Sequence, residues 1–573
     1  MGEATVTTKT RRVLPWLATG AAALSLVVVG VVGLGSGGHD DSHITFWVAD
    51  ALARGWGFVN YDGDPIEQSS SLTFAVLLAL LHLITRVPVP VLGYLLGLVA
   101  GAVAVVQGHR LADRLAPGTG PFAAWMTATT FCLVYWSTSG METSLAAALT
   151  PTLVLAIGDL VGDDARGATA RMGRGRLAAL VVVALAFTGV RPENTVVSLG
   201  LAVALLVLGH RLAVGRTRTL AAAVALTASV AAIVGFRLLT FGATLPNPVA
   251  AKMGAVDLGV GALYVWYYAL ESNVALVAIG AVGASLGVYV LVSRAARGQP
   301  RSFSVGVTAA LVVALLSFPI ATGGDWMEHG RFIVPAVAIL AASAAALARL
   351  VSRARQRLVY VGLAAIAVHG AVTARRPLTV EYRRSVGLTQ AKRQAERLAG
   401  DSTQIFSAVE LANEAHLRDA PIVLGLLRIL EDLAPTPESP IVLASGQGGM
   451  VPYYAALHYY GRVRFIDMWS LTTSEVARCF PEAVELRGTI GTLLAYTEVL
   501  RPGELERRCG RPRPDIVFNS SLPTRSLKLK ENGYVVVYRQ AGWAFGDTAL
   551  RGFIAVRKEL VAEAGLKKQD FGW

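Results

Sequence analysis

The chain is 573 residues long, 54% hydrophobic and only 16% charged, with a mean hydropathy of +0.52. Soluble domains run near a quarter charged, so an ordinary soluble fold is excluded and an integral membrane protein is indicated. Lys and Arg number 52 against 39 Asp and Glu, a net charge of +13, which marks cytoplasmic loops in a membrane chain or nucleic-acid binding in a soluble one.

Lys9, Arg11 and Arg12 precede an apolar run at 13–35. The run is long, no small-residue cleavage site follows it, and more apolar runs come after, so it reads as a first span that starts in the cytoplasm and not as a signal peptide. Runs of roughly spanning length recur at 91–107, 120–134, 141–160, 177–190, 194–209, 219–239, 267–293, 303–321, 332–348 and 358–374, giving about eleven spans. Arg110 and Arg114; Arg166, Arg171, Arg174 and Arg176; Arg211, Arg216 and Arg218; Arg294, Arg297 and Arg301; and Arg349, Arg353, Arg355 and Arg357 all fall in the alternate loops. That alternation is the positive-inside pattern. Counting the apolar stretch 71–84 as a span would invert it, so this stretch is predicted to be an in-plane or re-entrant helix at the outer surface. The basic clusters are split among short loops without interleaved aromatics, which argues against nucleic acid as a partner.

Beyond 375 the composition turns soluble for about 200 residues, one domain's length. Strand-like runs at 441–444, 515–518 and 534–538 alternate with helical stretches, predicting an α/β domain. The expected organisation is a membrane domain at 1–374 and an extracytoplasmic domain at 375–573, in the inner (plasma) membrane with a cytoplasmic N-terminus. Cys132, Cys479 and Cys509 show no zinc-site spacing. The latter two fall outside, where a bridge closing about 30 residues and a pair of free thiols fit the spacing equally.

On this topology the polar outliers gather on the outer face. They are Asp40 and Asp41, the Ser139–Thr143 motif with Glu142, the Arg191-Pro192-Glu193-Asn194 motif, Asn247 with Lys252, and the run 323–331 with Asp325, His329 and Arg331. One such charge is more simply a solvated helix end; several at successive span ends point to a single site facing a cavity. Asp40 or Asp41 can act as general base, with Asp41 also placed to cap the helix that follows. Arg191, Lys252, His329 and Arg331 can neutralise a phosphate, or simply pair with Glu142, Glu193, Asp325 and Glu328. The run Ser445-Gly446-Gln447-Gly448-Gly449-Met450 looks like a dinucleotide fingerprint, but Val451 stands where its third glycine belongs, so a Gly-rich turn before a helix is expected. Tyr453, Tyr454, Tyr459 and Tyr460 beside it can stack on a glycan or pack inside the domain. His82 and His369 stand alone in apolar runs and read as core histidines.

Taken in order, the motifs form a recognisable set. Asp40-Asp41-Ser-His-Ile-Thr-Phe with Gly55-Trp-Gly-Phe-Val-Asn60, Pro65-Ile-Glu67, Ser139-Gly-Met-Glu-Thr143, Val190-Arg-Pro-Glu193, Leu245-Pro-Asn-Pro-Val-Ala-Ala-Lys252, Gly323-Gly-Asp-Trp326 through Gly330-Arg331, Gly449-Met-Val-Pro-Tyr453 and Ile466-Asp-Met-Trp469 span nearly the whole chain. The set resembles the terminal β-(1→2) arabinofuranosyltransferases of mycobacterial and corynebacterial cell walls and their wider bacterial relatives, enzymes of the GT-C fold. The resemblance implies a polytopic α-helical membrane protein with a GT-C-like bundle of about eleven transmembrane helices and a C-terminal extracytoplasmic α/β domain. It also implies a polyprenyl-phosphate sugar donor drawn from the lipid bilayer, a glycan acceptor such as an arabinan, inversion at the anomeric carbon, and a base at Asp40 or Asp41. Phosphate is already a good leaving group, so a divalent cation is optional. Two other classes of function fit a polar membrane site: a transporter or flippase for a lipid-linked saccharide, and a non-catalytic carbohydrate-binding assembly subunit.

Overall fold

The structure is a computed structural model that describes residues 3–34, 39–161, 173–211, 216–252, 257–295, 303–325, 327, 329–349, 352, 355–375, 414–482, 488–519, 527–539 and 552–566. Among them, six helices are long and apolar enough to cross a membrane: Val13–Val32, Val89–Leu115, Thr143–Val161, Arg216–Phe241, Ser304–Ala321 and Arg355–Arg375; a bent pair makes a seventh if counted as one span. This is fewer than the eleven expected: the runs at 177–190 and 194–209 lie in unbroken helices of 17 and 18 residues, and three other runs divide. The run 120–134 breaks into Gly120–Ala128 and Phe131–Ser137, where the hydroxyls of Thr129 and Thr130 donate to carbonyls four residues back, at 2.8 and 2.7 Å. The run 267–293 divides at Asn273 into Leu258–Ser272 and Val274–Ala295, because the Asn273 side chain accepts from the Leu276 N–H at 3.0 Å and starts a new helix. Val334–Ala336 is a 3₁₀ turn, which leaves only Val337–Ala346 as α-helix from the run 332–348.

Leu72–Thr85 is a helix of 14 residues, about 21 Å at 1.5 Å per residue, too short for a hydrocarbon core of about 30 Å. Arg86 ends it in a left-handed conformation with φ 60°, and His82 Nδ1 lies 2.7 Å from the Val87 carbonyl, so this histidine is structural.

The C-terminal residues form a five-stranded sheet with order β2-β1-β3-β5-β4, from β1 (Ile441–Ser445), β2 (Val463–Asp467), β3 (Ile516–Asn519), β4 (Tyr534–Arg539) and β5 (Phe553–Arg557). β1 runs parallel to β2 and β3, whereas β5 is antiparallel to β3 and β4. Strand residues alternate between two cores, as the pleat requires. Ile441 and Leu443 face one core, and Val442 and Ala444 face the other. The bridge between Cys479 and Cys509 is formed, with Cα atoms 5.8 Å apart, and it joins the short helices Glu475–Cys479 and Glu504–Cys509.

The first of these cores does not stop at the sheet. It continues through Met450 and Tyr454 into Phe46, Trp47, Tyr61 and Phe74 of the segment between the first two long helices. Tyr460 stacks on Trp56 at 4.0 Å, and the Tyr453 hydroxyl donates to Asp50 at 2.5 Å. Tyr453, Tyr454 and Tyr460 are thus used in packing the sheet domain onto this segment, with Tyr453 and Tyr454 buried, whereas Tyr459 reaches the Leu427 carbonyl within the sheet domain. This fixes one end of the bundle, here called the sheet end, against the Gly-rich turn.

Candidate functional site

The site begins where the two halves meet. Asp40 and Asp41 precede the helix Ser42–Ala53, which packs against Met450–Tyr459. Asp40 Oδ1 accepts the backbone N–H of Met450 at 2.7 Å. Gly449 lies so close that a Cβ there would come within 2.0 Å of the Asp40 carbonyl oxygen, so only glycine fits. The helix N-terminus that a dinucleotide phosphate would occupy is therefore already filled by the chain's own carboxylate. Asp41 takes the N-cap position of Ser42–Ala53, but its side chain makes no capping bond. Among the described residues the Asp41 carboxylate has no hydrogen-bond or ion-pair partner, and it is half-buried. Tyr61, fully buried nearby, donates to the Gly448 carbonyl at 2.9 Å; burial and then Asp40, Asp467 and Asp41 hold its hydroxyl well above the usual tyrosine range.

The predicted cations lie beside this pair of acids, and each described one has a partner. Buried Arg191 pairs with Glu142 at 3.1 Å and with Glu193. Arg331 lies 2.9 Å from Asp325 without the alignment of a hydrogen bond. Their guanidinium carbons flank the Phe332 ring at 5.0 and 5.3 Å. Burial draws the Arg331 pKa down, but Asp325, Glu142 and Asp41 more than offset this, and the net shift is upward. His329 Nδ1 sits 3.0 Å from Glu271, in left-handed backbone at φ 56°. Glu328, the partner expected from sequence, lies outside the described residues. Among the described residues, Asp41, Glu142, Glu193 and Asp325 thus gather about Arg191 and Arg331, four carboxylates to two guanidinium groups.

Asn247 does not line this cluster by its side chain. It donates to the carbonyls of Ser470 and Leu471 at 2.7 and 3.0 Å, tying the segment before Lys252 to the sheet domain. Lys252 ends the helix Asn247–Lys252, and its side chain lies outside the described part. The backbone N–H of Asn247 also donates to the Glu67 carbonyl at 3.0 Å, and the Glu67 carboxylate takes a two-nitrogen fork from Arg237 at 2.9 to 3.1 Å. Asp467 holds the receiving loop: its carboxylate accepts the N–H groups of Trp469, Leu471 and Thr472 at 2.8 to 2.9 Å. Arg237, Glu271 and Phe332 were not singled out from sequence. Arg237 left a signal nonetheless, as a lone arginine near the end of the apolar run 219–239. Gly330 has φ 61°, but the close approach it permits is to Tyr268, whose Cβ would lie 2.8 Å from an added methyl. Among the described residues no group of three or more His, Cys, Asp or Glu is arranged to hold a metal, and no ligand set is assigned.

No family model and no curated protein sequence matches the chain. Solved structures do resemble it. The oligosaccharyltransferase AglB from Archaeoglobus fulgidus, in complex with an inhibitory peptide and a dolichol-phosphate, matches with a TM-score of 0.53 at 12% identity, over 95% of this chain and 74% of that one. The apo form of the Archaeoglobus fulgidus oligosaccharyltransferase gives 0.52 at 12% identity, over 88% and 69%. Apo ArnT from Cupriavidus metallidurans gives 0.50 at 14% identity, over 95% and 99%. At these identities the likeness concerns architecture, and function must be argued from the site. The chain has the GT-C fold: a polytopic helical membrane bundle carrying a C-terminal α/β domain.

Proposed function

We propose that this protein is an inverting membrane glycosyltransferase that moves a sugar, arabinofuranose by the resemblance of its motifs, from a polyprenyl-phosphate donor to a cell-envelope glycan such as an arabinan. The observation that carries the reading is the Asp41 carboxylate, unengaged beside the ion-paired Arg191 and Arg331 at the sheet end. A carboxylate there can take the proton of an acceptor hydroxyl as its oxygen attacks the anomeric carbon in line with the departing phosphate. The bond from anomeric carbon to phosphate oxygen breaks, and the electron pair leaves with the phosphate. The guanidinium groups of Arg191 and Arg331 can donate charge-assisted hydrogen bonds to that phosphate. The GT-C fold, shared with a structure holding a dolichol-phosphate, supports a lipid-borne phosphate donor.

Of the two acids, Asp41 is the better base, since Asp40 is committed to Met450. The Cys479–Cys509 bridge supports an extracytoplasmic sheet domain in the plasma membrane, because disulfides persist in oxidising compartments. Ionisable groups gathered at one end of the bundle favour transfer over a flippase, whose sites lie near the bilayer midplane. The test is transfer of labelled sugar from purified polyprenyl-phosphate arabinofuranose to an arabinan by the reconstituted protein. Transfer that is lost in Asp41→Asn supports the proposal. Movement of the lipid-linked sugar across the bilayer without transfer makes the protein a flippase.

A further inference from the structure

The helix Leu258–Ser272 has two unlike faces. One packs on the segment that carries Asp325, His329 and Arg331. Gly261 sits where a Cβ would come 2.5 Å from the Ile320 carbonyl oxygen. Tyr264, only 7% exposed, accepts the Phe332 N–H at 3.2 Å, and Glu271 pairs with His329. The other face carries Val260, Leu263, Trp266, Tyr267 and Leu270, whose spacing places them on one stripe of a 3.6-residue helix. Leu263, Trp266 and Tyr267 are 66%, 60% and 61% exposed.

A contiguous apolar stripe of this kind does not face water in a stable protein. Its occupant is indicated by three observations. Only Asn273 separates this helix from the apolar helix that follows, so the stripe is continuous with the membrane bundle. The turn between them is 118°, nearer perpendicular than parallel to a spanning axis. Trp and Tyr among aliphatic neighbours are the side chains of the membrane–water boundary. At 15 residues the helix reaches about 22 Å, short of a crossing.

We propose that Leu258–Ser272 is an interfacial helix whose Leu263, Trp266, Tyr267 and Leu270 stripe is seated at the boundary between lipid headgroups and acyl chains. Its packed face then holds the Asp325–Arg331 segment at the membrane surface. The inference concerns the bilayer alone and stands whether or not the chain transfers sugars.

The experiment places a spin label at Leu263→Cys, Tyr267→Cys or Leu270→Cys in the full chain in lipid nanodiscs. The native thiols do not compete, because Cys132 is buried and the other two are joined. Accessibility to oxygen and to a polar nickel chelate is then measured, with exposed Lys530→Cys on the sheet domain as the aqueous reference. The expected result is oxygen-favoured labels at one common depth of about 5–10 Å below the phosphates. Labels as wet as position 530, labels shielded from both reagents, or a depth that runs through the midplane along the helix would each overturn the proposal. Brominated lipids provide a check without labels. They are expected to quench less total tryptophan emission in Trp266→Phe than in the parent chain, and equal quenching would count against the assignment.

Discussion

Asp40 Oδ1 and the Met450 backbone N–H, 410 positions apart in sequence, are joined by a hydrogen bond of 2.7 Å. A carboxylate from the membrane half thus caps the first helix after β1 of the sheet domain, where the partial positive charge of the helix favours an anion. The same bond separates the roles of two adjacent aspartates, one structural and one unengaged.

Asp41→Asn is expected to lower turnover by about 10² to 10⁴, the usual cost of losing a general base, with no change in apparent melting temperature. Asp40→Ala is expected to lower stability by about 1 kcal/mol, as for a lost cap. Radiolabel transfer alongside thermal unfolding separates the two. Wild-type turnover in Asp41→Asn would remove the assigned base.

Arg331→Ala is expected to reduce kcat/KM for donor roughly tenfold to a hundredfold, because a charge-assisted contact contributes about 1.5–3 kcal/mol. Arg191→Ala is expected to lose folded protein as well, since Glu142 and Glu193 would be left buried without their partner. Arg331→Ala leaves only Asp325 without its partner, so its donor titrations are read beside thermal unfolding, and an unchanged kcat/KM would leave Arg331 a structural partner of Asp325.

Arg237 is buried against Glu67. Glu67→Gln leaves that guanidinium without a counter-charge and is expected to cost about 3–5 kcal/mol, whereas replacing both residues with apolar side chains of similar size is expected to recover most of it. Thermal unfolding in detergent reads both. A double variant no more stable than the single one would show that the pair is needed for more than charge balance.

Breaking the Cys479–Cys509 bridge opens a loop with a sequence separation of 30, and Cys479→Ser with Cys509→Ser is expected to destabilise the sheet domain by about 3–4 kcal/mol. Non-reducing peptide mapping should recover the linked pair from protein purified without reductant. Two free thiols in that protein would reject the bridge.

Single cysteines at 174 and 355 are expected to be shielded from an impermeant reagent in intact cells, while one at exposed Lys530 of the sheet domain should react. Labelling at 174 from outside would invert the orientation.

The membrane class, the α/β character of the C-terminal residues and the collection of charged motifs were legible in the sequence, because each rests on local composition or on a period of a few residues. The divided runs at Thr129-Thr130 and Asn273 were not, since a break of one or two residues leaves hydropathy almost unchanged. Partner choice was not legible either. Arg191 finds Glu142 across 49 positions and Glu67 finds Arg237 across 170, and the Gly-rich turn receives Asp40 from the far end of the chain. Residue type sets what a side chain can bind. Which of several equivalent carboxylates it meets is decided by how the helices and the sheet pack, and that packing brings Asp40 to Met450 and leaves Asp41 unengaged.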